Sequence, residues 1–158
     1  MPGDWFAGAI VFKEDDAGRC FVLVQDSRST DPRWARKPVQ TKFPGGTNDG
    51  RTEDTSPEDT FRGELESETG LRVESGEGLI LVHEERPNPA HLKRFMAISF
   101  EKCHGELRTT PLQDGSDLVS PPYWVELEKV GRVLYGTHQQ ALIKFMRMWD
   151  SGALLKEV

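Results

Sequence analysis

The chain has 158 residues, 36% of them hydrophobic and 29% charged, and a net charge of −6. That is the composition of a globular protein; it lacks the basic excess that general nucleic-acid binding requires, and no apolar run approaches the roughly 20 residues of a membrane helix. The length fits one domain, residues 1–158, able to bury a core without disulfides.

The opening MPGDWFAGAIVF has no basic n-region, and its short apolar segment reads as a strand rather than a secretion signal, so a cytoplasmic protein is expected. Residues 5–13 and 20–26 are β-rich runs joined by EDDAGR, whose punctuation suits a hairpin. Cys20, in the second run, and Cys103 have no CxxC spacing and are expected as free thiols. The polar segment SRSTDPRWARKPVQTKF, residues 27–43, contains Pro32 and Pro38 and is predicted to be a long exposed loop.

After Pro44-Gly45-Gly46 and a second polar loop, Ser56-Pro57-Glu58-Asp59 supplies an N-cap, a first-turn proline and an acidic residue at N3. With Phe61 and Leu65 four apart and Gly70 as a C′ residue, a helix is predicted over 57–69. Strands are predicted at 71–74, 79–85, 94–101 and 123–127. A closing helix is predicted over 137–150, with Leu142, Phe145, Met146 and Trp149 in one apolar stripe.

Within the first helix, Glu64 and Glu68 are i and i+4 and lie on one face, whereas Glu66 points elsewhere. Two stacked carboxylates repel each other unless a cation lies between them, and Mg²⁺ or Mn²⁺ prefers such oxygens. By charge alone, a solvated acidic face is the competing account. The four histidines show no paired ligand spacing and are expected to be structural or surface residues.

Taken together, PGG, a loop and SPEDTFRGELESETGL, with strands around them, resemble the Nudix hydrolase family. Gly46 matches the first glycine of that family's motif, Glu64 its Arg-following glutamate, Leu65 the hydrophobic position, Glu68 the second of the paired glutamates, and Gly70-Leu71 the ending. YWVELEKV at 123–130 is similar to the family's last strand. The departures are Gly63 at the family's Arg position, Ser67 at the first paired Glu, and Thr55 where an early Glu is expected, with Glu53 a possible substitute. Arg62 falls one residue early, about 100° away around the helix. The 16 residues between Gly46 and Gly63 are also three more than the family spacing.

The resemblance implies an α/β/α sandwich with a mixed central sheet, and a divalent-metal-dependent pyrophosphohydrolase acting on a nucleoside diphosphate linked to another group. It implies Mg²⁺ or Mn²⁺ held by Glu64, Glu68 and the Gly46 carbonyl, where the ion acts as a Lewis acid and activates water. A general base is expected outside the motif, among Asp114, Asp117, Glu101 and Glu106, with Asp117 carried as the catalytic candidate beside Glu64 and Glu68. The loop before PGG holds Arg28, Arg33, Arg36, Lys37 and Lys42 against Asp26 and Asp31, a local basic excess suited to a diphosphate, and Trp34 offers a stacking ring. Arg33, Trp34, Arg36 and Phe43 form the candidate substrate-binding set. The alternative is a Nudix-fold module without catalysis that recognises a nucleotide or a protein partner. Monomer and homodimer fit equally.

Overall fold

A computed structural model describes residues 3–34, 38–49, 51–131 and 134–156. Strands β1 (Asp4–Glu14) and β2 (Cys20–Ser29) form the predicted opening hairpin. They are followed by β3 (Gln40–Lys42) and β4 (Gly45–Thr47), and then by helix α1 (Pro57–Thr69). Next come β5 (Ile80–Asn88), β6 (His91–Ser99) and a small hairpin of β7 (Leu112–Asp114) and β8 (Asp117–Val119). β9 (Tyr123–Glu126), the short α2 (Leu127–Val130) and α3 (Thr137–Asp150) close the chain.

The sheet runs β5-β6-β1-β2-β8-β7, with β3 and β9 also paired to β2 and β4 to β1. β1 is parallel to β6 and antiparallel to β2 and β4, so the sheet is mixed as expected. β1 is buried on both faces because its alternate residues feed two cores. Ala7, Ala9 and Val11 pack with Phe61 and Leu65 of α1, while Ile10 and Phe12 pack with Leu142 and Phe145 of α3. That alternation produces the sandwich.

Three readings are corrected and one element is added. Residues 71–74 form only an isolated bridge, Arg72 to His104, and not a strand. The predicted exposed loop 27–43 instead continues β2 to Ser29 and contains β3, whose Thr41 is buried with its hydroxyl donating to Asp26 Oδ1 at 2.7 Å. The β7–β8 hairpin was not anticipated, since three-residue strands carry too little alternation to register. The C-terminal ends of two predicted strands close instead as short helical turns, at Phe100–Lys102 and at α2.

Helix α1 has the predicted bounds for the predicted reasons. Ser56 is extended and its hydroxyl accepts from Asp59 N at 3.3 Å, Pro57 occupies the first turn, and Gly70 closes the helix in the left-handed region at φ 86°. Cys20 and Cys103 are both free thiols.

Candidate active site

The site grows from three adjacent pieces: β1, β4 and the inner face of α1. The register sets Phe6 opposite Thr47, Ala7 opposite Gly46 and Gly8 opposite Gly45. α1 lies across this ladder and presents Glu64 and Glu68 to the β4 backbone. A Cβ at Gly46 would lie 2.5 Å from Glu64 Cδ and within 2.8 Å of both its carboxylate oxygens, so only glycine admits the carboxylate there. Gly45 N–H donates to Glu68 Oε2 at 2.8 Å.

Glu68 is the unusual member of the pair. It is only 3% exposed. Burial raises its carboxyl pKa to about 7; the Gly45 hydrogen bond and the charge of Lys42 oppose the rise, and the negative charges of Glu64 and Asp114 add to it. The end of its helix is held separately, because Arg108 Nε at 2.7 Å and Gln25 Nε2 at 3.2 Å both donate to the Glu68 carbonyl. Those two donors satisfy a C-terminal carbonyl that has no partner within the helix. Glu64 is half-buried and accepts from Arg51 Nε at 3.1 Å.

The donor set is all oxygen, and the glycine backbone leaves room for the carboxylates. Among the described residues, no group of three His, Cys, Asp or Glu side chains converges. Ser67 does not complete the set: it is exposed, and its hydroxyl bonds back to the Glu64 carbonyl at 3.3 Å. Two carboxylates and a carbonyl nevertheless fit one Mg²⁺-like ion, which typically keeps several waters and takes remaining ligands from substrate phosphates.

A separate cavity of about 200 Å³ is lined by Phe6, Gln40, Lys42, Lys93, Tyr135, Thr137 and His138. The positive charge of Lys42 acts on both Glu68 and His138. His138 is a structural histidine: it is buried, and Nδ1 accepts from Phe43 N–H at 3.1 Å. A larger and mostly apolar cavity of about 280 Å³ lies among Asp26, Arg28, Val39, Pro111, Leu118, Ser120 and Pro121.

The sequence-derived candidates divide accordingly. Glu64, Glu68 and Gly46 come together. Asp114 exerts its charge on Glu68, whereas Asp117, its cross-strand partner in the β7–β8 hairpin, also faces Ser29 of β2. Glu53 is exposed in the loop before α1. Phe43 is fully buried, with its ring stacked near His138, so the substrate contact expected of it is replaced by core packing. Arg33 is mostly exposed and paired with Asp31 at 2.7 Å. Arg36 lies outside the described residues, as does the side chain of Trp34. Sequence reasoning missed Arg51, which lies in the loop within the motif itself, and Lys93 and Tyr135, which are far from it in sequence; only Lys42 had a signal, the basic excess before PGG.

The family model of the Nudix domain matches residues 5–148. No curated protein matches the chain in sequence. Among solved structures, the chain is similar to the E. coli ORF135 protein, with 18% identity, a TM-score of 0.62 and coverage of 96% of this chain and 94% of that one. It is similar to a mutT/nudix family protein from Listeria innocua, with 19% identity, a TM-score of 0.61 and coverage of 98% and 99%. A third is the Nudix domain of Shewanella oneidensis NrtR complexed with ADP ribose, with 19% identity, a TM-score of 0.59 and coverage of 90% and 86%.

Proposed function

Because the chain belongs to the Nudix family, whose domain model spans residues 5–148, we propose that it hydrolyses a phosphoric anhydride bond in a nucleoside diphosphate linked to a second group. The observation that carries this reading is the buried Glu68 stacked with Glu64 against the Gly45-Gly46 backbone. Glu64, Glu68 and the Gly46 carbonyl would hold one Mg²⁺ or Mn²⁺, which supplies Lewis-acid neutralisation of phosphate charge when bound.

The chain's own residues do the rest. Lys42 and Lys93 attract the anionic substrate, and Phe6 and Tyr135 offer ring faces to a base or sugar. Glu68 is excluded from bulk water, which strengthens its interaction with any cation in the site. In the hydrolytic step a water oxygen bonds to phosphorus and the bridging P–O bond breaks. The departing phosphate keeps the electron pair, and a carboxylate accepts the proton from the water. Asp114, whose negative charge bears on Glu68, is the candidate for that carboxylate ahead of Asp117.

Chromatographic detection of the phosphomonoester or pyrophosphate products from nucleoside diphosphate sugars, dinucleoside polyphosphates and nucleoside triphosphates, with Mg²⁺ or Mn²⁺, tests the reading. Metal-dependent turnover that disappears in Glu68→Gln supports it. A second reading, a binding module, draws on the lack of a third acidic ligand among the described residues and on the likeness to an NrtR domain complexed with ADP ribose. Nucleotide binding without turnover anywhere in the panel selects it.

A further inference from the structure

We infer that Arg51 is the positioning residue for Glu64, reaching it from the β4–α1 loop through the space that Gly63 leaves open. The inference rests on the hydrolase reading above for its catalytic consequence, and on separate geometry for the pairing. Arg51 Nε donates to Glu64 Oε1 at 3.1 Å, with the arginine side chain 25% exposed and the glutamate 18%. A Cβ at Gly63 would collide with Arg51 Nη1 and lie 3.0 Å from Cζ and 3.5 Å from Nη2. The guanidinium therefore lies directly on the bare helix backbone, and a side chain at position 63 would displace it.

The neighbouring arginine does not compete. Arg62 Nη2 donates to the carbonyls of Ser75 at 3.3 Å and Glu77 at 3.5 Å, and Nη1 stands 4.0 Å from Asp59, all away from Glu64. The loop that carries Arg51 is pinned on both sides of it. Arg51 N–H donates to the Asn48 carbonyl at 3.0 Å, and Asn48 Oδ1 accepts from Trp5 N at 2.9 Å. Asp54 N–H donates to the Arg51 carbonyl at 3.1 Å, and Asp54 Oδ2 accepts from Thr60 Oγ1 of α1 at 2.7 Å.

The sequence departures thus compensate one another. Position 63, where the resemblance leads one to expect arginine, is glycine, and the lengthened loop returns an arginine to the vacated volume. A fixed guanidinium on one oxygen holds the Glu64 carboxylate in one rotamer against Gly46, and positional errors of about 1 Å in such groups cost about a hundredfold in rate. Arginine's planar fork suits this role better than lysine's flexible stem.

The experiment compares Arg51→Ala, Gly63→Ala and the double variant Arg51→Ala/Gly63→Arg with wild type, by steady-state kinetics and by the NMR signal of the Arg51 Nε–H in metal-free protein. Expected are a roughly ten- to hundredfold fall in kcat with KM near wild type in Arg51→Ala, the same loss in Gly63→Ala, and recovery of most of it in the double variant. The Nε–H signal shifts in Glu64→Gln and in Gly63→Ala. Wild-type kcat in both single variants, or a signal indifferent to Glu64→Gln, overturns the inference. Absence of turnover in wild type on the whole panel defeats the hydrolase reading alone, because the NMR signal still decides whether Arg51 holds Glu64.

Discussion

Glu68 concentrates the tension of the site. Its carboxyl pKa, raised to about 7 by burial, means that the metal-free folded state holds a proton that the unfolded chain has released above its ordinary value of 4.5. This contribution to stability is fully present below 4.5 and is lost as pH rises through about 7. Glu68→Gln should therefore make the metal-free protein more stable at pH 8, by roughly 2–3 kcal/mol, and flatten the pH dependence between about 4.5 and 7. Thermal unfolding with a chelator across that range checks it. The same substitution should abolish the proposed metal-dependent hydrolysis.

Helix α1 delivers the carboxylates, and its ends fix their height over β4. Ser56→Ala removes the side-chain acceptor for Asp59 N–H and should cost about 1 kcal/mol, lowering Tm by about 2–4 °C. Gly70→Ala should cost more. It forces a side chain into φ 86° and drives a Cβ into the Glu106 carbonyl oxygen. Because Glu68 lies two residues before Gly70, that variant should also impair turnover in protein that remains folded, whereas Ser56→Ala should leave kcat near wild type. Unfolding and kinetics on the same samples separate the two effects.

Over the whole molecule, the net charge of −6 would oppose the proposed anionic substrate, and Lys42 and Lys93 supply positive charge locally at the 200 Å³ cavity. Lys42→Ala should raise KM several-fold, and the wild-type KM should rise with ionic strength, as charge attraction across a partly exposed site is screened. His138 joins the α3 layer to β3–β4 through Phe43 and should govern acid stability. Burial, aided by Lys42 and Lys93, lowers its pKa from 6.5 to about 3. Its contribution is present above 6.5 and is lost as pH falls toward 3, by at most about 1.4 kcal/mol per pH unit. Glu68 acts in the opposite sense over part of that range, so urea unfolding of His138→Asn and Glu68→Gln at pH 7 and pH 5 resolves the two.

The sequence by itself determined the β1–β2 hairpin, the bounds of α1 and of α3, and the face shared by Glu64 and Glu68, because caps, helical period and strand alternation are local properties. It also located Gly46, whose missing side chain is a property of one residue. Only the tertiary structure decided which groups meet those carboxylates. Arg51 reaches Glu64 because the loop folds back over Gly63, and the charge of Asp114 bears on Glu68 because a hairpin of three-residue strands pairs onto β2. Phe43, expected at the substrate, is buried because β3 joins the sheet and α3 covers it. Each of these depends on contacts between residues distant in the chain, whose signs and spacings leave no periodic trace in the sequence.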